Sequence, residues 1–220
     1  MKENKFYFIH ETWTKIFVNY LGQIRLYSLI DLILLLVAAR AGMYDIVGVL
    51  CLHLGFVAYL ENSHARSYRE IVPSWVWITL ALVGVLFYSH MEFFSFLLFS
   101  FLYVNKNNAK WGYFSPFFRG LQNFFLIAGI VGYRSYLPFI VLFVMILRNF
   151  AGDLRDVEKD TRDEMKTLPT MLGFKKNIRY GHLAMVLVST AIWWHFAGLS
   201  IYMLAIVLAF EIGTYWITPR

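Results

Sequence analysis

With 59% hydrophobic and only 15% charged side chains among 220 residues, the chain carries too few charges to solvate a soluble globule of its size, and it fits a bilayer better than water. A net charge of +6 would suggest nucleic acid in a soluble protein. Here the Lys and Arg residues lie mostly in short loops between apolar runs, which speaks for membrane orientation and against nucleic-acid binding.

Residues 1–22 mix Lys2, Glu3, Lys5, Glu11 and Lys15 with aromatics and lack a small-residue cleavage site, so an amphipathic helix lying in the interface is expected there, not a cleaved signal peptide. Apolar runs follow at about 23–39, 44–60, 73–89, 91–104, 117–131, 137–151, 182–197 and 199–217. A hydrocarbon core about 30 Å thick accepts roughly 20 apolar residues per helix, fewer where polar flanks snorkel. The third and fourth runs are short and meet around His90. With the N-terminus in the cytoplasm, every Lys and Arg except Arg40 and Arg134 falls on the cytoplasmic side, as short inside loops require. The lone Cys51 sits in an apolar run, so no intramolecular disulfide forms. No repeat, linker or low-complexity tract divides the chain. The expected fold is one all-α domain over residues 1–220, a polytopic transmembrane helical bundle of about eight spans.

The sixth run ends in the most informative segment, residues 148–163. At 100° per residue, Asp153, Asp156 and Asp160 share one helical stripe while Arg155, Lys159, Arg162 and Lys166 share another. Like charges at i and i+4, such as Asp156 and Asp160, weaken a helix by a few tenths of a kcal/mol unless something offsets them. A hard divalent cation does so economically, because Mg²⁺ takes carboxylate oxygens and substrate phosphates while keeping several waters. The plainer alternative is a solvated juxtamembrane helix laced with ion pairs.

Asp153-x-x-Asp156-x-x-x-Asp160, followed by Lys166-Thr167-Leu168-Pro169 and Gly173, resembles the second aspartate-rich motif of the UbiA superfamily of intramembrane prenyltransferases. That resemblance implies a helical bundle with a lateral-access cavity, an isoprenoid diphosphate donor held through Mg²⁺ at the cytoplasmic end, and prenyl transfer to a lipophilic or aromatic acceptor. Asp153, Asp156, Asp160 and Asn62 then become the catalytic and metal-binding residues. The family's first motif, Asn-Asp-x-x-Asp-x-x-x-Asp, is altered: Asn62 and Glu70 keep their places, but Ser63 and Arg66 stand where aspartates are expected. Arg66 is always cationic and has only donors, so it is expected to meet the donor's phosphate oxygens in place of a second metal. The family's usual nine spans are not reached either, which leaves room for a helix from an oligomeric neighbour.

Between the fourth and fifth runs, Tyr103, Lys106, Lys110 and Arg119 face the cytoplasm and resemble family loops that contact diphosphate; anchoring to membrane lipid phosphates explains them equally well. Tyr103, Lys110 and Arg119, with Arg66, Lys166 and Glu70, make up the expected substrate-binding set. Asp31 is the acid deepest in an apolar run, and it is expected either to face the cavity or to pair with Arg25. Glu211 belongs to an interfacial shell or a helix contact. No two histidines stand at metal-ligand spacing, which argues against zinc. Phe94, Phe96, Phe99, Phe101, Phe124 and Phe125 either line a tunnel for the prenyl chain or face lipid. The competing function is a degenerate UbiA-like lipid-binding or scaffold protein. A transporter ranks below it, because the acids collect at one face and not at the midplane.

Overall fold

The computed structural model describes residues 24–63, 72–106 and 111–217, and all regular structure among them is helical. Each apolar run carries one helix: α1 (Leu26–Ala38), α2 (Met43–Ser63), α3 (Ser74–Phe87), α4 (Phe93–Val104), α5 (Ser115–Val131), α6 (Leu137–Arg155), α9 (Arg179–Ala197) and α10 (Ile201–Ile217). Two short helices, α7 (Val157–Arg162) and α8 (Leu168–Met171), lie in the connection between α6 and α9, and a 3₁₀ turn (Gly112–Phe114) leads into α5. Tyr88 to Glu92 separate α3 from α4, so the two runs that meet near His90 are distinct helices. Three helical stretches, Met43–Ser63, Gly112–Val131 and Leu137–Arg155, are long and apolar enough to cross a membrane; α1, α3, α4 and most of α10 are apolar but shorter. The amphipathic reading of residues 1–22 lies outside the described residues.

The helices close a ring in the order α1, α2, α4, α5, α6, α9 and back to α1, with α3 packed outside on α2 and α10 outside on α1 and α9. Inside the ring, Leu35, Leu36, Val49, Leu52, Leu126, Ile127, Val141 and Trp193 form a continuous buried core. Lipid tails are as apolar as these side chains, so close packing, more than expulsion of water, holds such helices together. The α2–α3 contact depends on it: a Cβ on Gly48 would stand 2.5 Å from the Tyr88 backbone nitrogen, and one on Gly84 would stand 2.8 Å from the Leu52 nitrogen. At that same end the fully buried Tyr88 hydroxyl donates to Leu126 O at 2.7 Å, and His90 Nε2 meets Asp45 Oδ1 at 2.9 Å.

A candidate active site at the charged end of the bundle

Alternating helix direction brings the starts of α1, α5 and α9 to the same end of the ring as the finishes of α2, α4 and α6. These ends carry most of the interior charge. Arg25, Glu61, Lys106, Arg119, Asp153 and Arg155 all line one cavity of about 200 Å³.

The three motif aspartates also line it, but not from one continuous helix. α6 stops at Arg155, Asp156 sits with φ −103° and ψ 7°, and α7 starts at Val157. The expected single stripe is therefore broken at its middle member. The break lets neighbouring residues meet: Arg155 Nε and Nη2 donate to the Asp156 carboxylate at 2.8 and 2.6 Å, although the helical projection puts them on separate stripes. Burial raises the Asp156 carboxyl, but this fork from Arg155 more than reverses it, and the group stays below the usual carboxylate range.

Asp153 occupies the last turn of α6, where the helix dipole disfavours an anion. The neighbouring helices compensate. Ser115 Oγ, at the first position of α5, donates to Asp153 Oδ2 at 2.8 Å, and Lys106 Nζ stands 3.8 Å from Oδ1. Lys106 also lies over the Tyr103 ring, 4.6 Å from its centroid. Burial alone would lower the Lys106 ammonium, but Tyr103 and the aspartates raise it, so the lysine is cationic.

Asp160 is 4% exposed, and among the described residues no side chain hydrogen-bonds its carboxylate. Desolvation first, and the charge of Asp153 second, push its carboxyl up to about 6. Arg119 contributes a cation that has no carboxylate partner among the described residues: its guanidinium sits 4.6 Å over the Phe56 ring and donates to Gln122 Oε1.

The Lys166-Thr167-Leu168-Pro169 loop folds for local reasons. Thr167 caps α8, Thr170 Oγ1 accepts from the Thr167 N–H at 3.0 Å, and Pro169 occupies the first turn, where its missing N–H costs nothing. Gly173 ends the turn at φ 83°. The loop packs against the 3₁₀ turn so closely that a Cβ on Gly112 would stand 2.7 Å from Lys166 O.

Of the residues expected from sequence, the cavity therefore gathers Asp153, Asp156, Asp160, Tyr103 and Arg119, and it adds Lys106. Lys166 does not line it; its side chain is exposed. Asn62 does not line it either, because its Nδ2 is turned to Val72 O at 2.7 Å. Arg66, Glu70 and Lys110 lie outside the described residues. Asp31 lines the cavity but does not pair with Arg25: it forms an ion pair with Arg148, while Arg25 Nη2 takes Glu61 Oε1 at 2.9 Å. Glu211 is a helix contact, accepting from Thr190 of α9. None of the six phenylalanines considered for a tunnel lines the cavity, where the aromatic wall is Phe56, Tyr27 and Tyr103. Sequence reasoning assigned neither Arg155 nor Arg148 to the site, because helical spacing puts Arg155 on a different stripe from Asp156 and no local pattern pairs Arg148 with Asp31; they acquire their partners through the helix break and through packing.

Among the described residues, no group of three or more His, Cys, Asp or Glu side chains is arranged to hold a metal by itself. Mg²⁺ asks for less, since one or two carboxylates plus substrate phosphates and water complete its shell. Asp160, buried beside Asp153 and without a side-chain hydrogen bond among the described residues, fits that demand; Asp156, held by Arg155, does not.

Comparisons with protein-family models, with curated proteins and with solved structures each find no match.

Proposed function

We propose that the chain is a multi-pass membrane prenyltransferase of the UbiA type, with eight spans, its N-terminus and its charged cavity on the cytoplasmic side, acting on an isoprenoid diphosphate donor and a lipophilic or aromatic acceptor. The observation that carries this reading is the meeting of Asp153 and Asp160 with Lys106 and Arg119, from four separate elements, in one cavity at the end of an apolar bundle. Asp153 and Asp160 would hold Mg²⁺, which supplies positive charge against the leaving diphosphate. Lys106 and Arg119 bind phosphate oxygens and stabilise the charge that gathers on them as the allylic C–O bond breaks. Leu32, Val57, Leu60 and Met145 give the cavity apolar wall segments that exclude water from the allylic carbon, and the acceptor closes the reaction by attacking C1.

The pairing of Asp153 with Lys106 and of Asp156 with Arg155 favours a second reading, in which the acids are internally satisfied and the bundle binds an anionic lipid without turning it over.

Incubating the purified protein with radiolabelled allylic diphosphates of several lengths and Mg²⁺ separates the two. Diphosphate release that chelation abolishes is the expected result. No release with any donor, with or without a membrane extract, leaves the lipid-binding reading.

A further inference from the structure

Inward of the charged mouth the cavity wall changes character. At about 1.5 Å rise per residue, Arg148 lies roughly 7 Å deeper than Asp153 along α6, and His53 roughly 12 Å deeper than Glu61 along α2. Asp31, Asn123 and Asn149 complete this inner wall. It is electrically neutral, because the Arg148 guanidinium is already met by Asp31, and Ser189 Oγ accepts from Arg148 Nη1 at 3.2 Å. Yet three of its side chains each keep a buried nitrogen with no hydrogen-bond partner among the described residues: His53 Nε2, Arg148 Nη2 and Asn149 Nδ2. His53 and Arg148 are 2% and 7% exposed. Asn149 is oriented by the Tyr103 hydroxyl, which donates to its Oδ1 at 3.0 Å and leaves the amide N–H groups as the free end. An unsatisfied buried polar group costs about 1–3 kcal/mol, so three in one cavity wall call for an occupant.

We propose that this inner wall is the acceptor subsite and that the acceptor is a small, neutral molecule presenting a hydroxyl group. A hydroxyl has two lone pairs and one donor hydrogen. The free N–H groups of Arg148 and Asn149 match the lone pairs, and His53 Nε2, in the tautomer protonated on Nδ1, matches the hydrogen. Neutrality follows from the charge balance once the donor is bound: the wall's own cation already serves Asp31, and Arg119, over Phe56, is taken by the donor's phosphates, so a carboxylate would stay buried without a counter-ion. Size follows from the volume, since about 200 Å³ shared with a diphosphate head leaves room for a single ring or a glycerol-sized group. The term acceptor rests on the transferase reading; the hydroxyl-binding wall does not.

The test is binding of hydroquinone, with benzoate as the acidic comparison, to the full chain in lipid nanodiscs, read by calorimetry without metal and with saturating inorganic diphosphate in place of the donor. Hydroquinone is expected to bind at least about tenfold more tightly than benzoate, a difference of about 1.4 kcal/mol. His53→Phe and Asn149→Leu should each weaken hydroquinone about tenfold, and His53→Gln, which restores an acceptor atom, should recover most of the loss. If His53→Phe fails to fold, Asn149→Leu and His53→Gln still decide the matter. Absence of hydroquinone binding, benzoate binding as tightly as hydroquinone, or indifference to both substitutions overturns the subsite. Hydroquinone binding without diphosphate release from any donor sinks the transferase reading and leaves the subsite standing. Diphosphate release without hydroquinone binding does the reverse.

Discussion

The two ends of this bundle use opposite means to hold the same helices together. At the closed end, Gly48 and Gly84 let backbones touch, Tyr88 is fully buried, and its hydroxyl is spent on a carbonyl of α5. At the charged end, the helices surround a cavity and are tied by ion pairs, Arg25 to Glu61 and Lys106 to Asp153. Close packing leaves no room for chemistry, whereas an ion-paired cavity offers charge that a ligand can borrow. The inner Asp31–Arg148 pair stands between the two regimes, buried like the first and charged like the second.

Breaking that middle element should have the largest effect. Arg148→Met leaves Asp31 buried without its counter-ion and is expected to cost about 3–5 kcal/mol in a denaturant titration, most of it recovered when Asp31→Asn is added. Next comes the mouth: Asp160→Asn should lower donor diphosphate release about 100-fold or more, about 2.7 kcal/mol in the barrier, while thermal stability of the metal-free protein does not fall. At the closed end, Gly48→Val should destabilise by about 1–3 kcal/mol through overpacking against Tyr88, with release per folded molecule unchanged. Tyr88→Phe should cost about 1 kcal/mol, the worth of one hydrogen bond.

The mouth also carries a pH dependence. Asp160 has its carboxyl at about 6, against 3.8 ordinarily, so the folded state holds that proton more tightly than the unfolded chain. Its contribution to stability is present below 3.8 and is lost as pH rises through about 6. Metal-free protein should therefore melt about 2–4 °C lower per kcal/mol lost as pH climbs across that window. Mg²⁺ should restore the melting temperature above pH 6 and do little below 4, and an equal shift at both pH values would break the link between Asp160 and the metal.

Hydropathy made eight of the described helices legible, one for each apolar run, and three of them are long and apolar enough to cross a membrane. That Asp153, Asp156 and Asp160 gather in one place was legible from helical spacing, but the break at Asp156 that lets Arg155 meet its own neighbour was not. The partner of Asp31 was hidden for a different reason. Arg25 is nearer in sequence, but Arg148 is brought to Asp31 by packing of α1 and α6 against α9, which no local pattern encodes. Asn62 was placed by its motif position and not by its surroundings, and the structure turns it toward Val72.

The Asp31–Arg148 pair also sets a timetable for biosynthesis. Residue 31 leaves the ribosome long before residue 148, so in the proposed multi-pass arrangement α1 meets the bilayer carrying an acid whose counter-ion has not yet been translated. An unmatched aspartate at the centre of a helix costs about 2.5–3.5 kcal/mol on insertion scales. In that arrangement α1 lingers beside the insertion machinery and settles only when α6 and α9 arrive to complete its side of the ring.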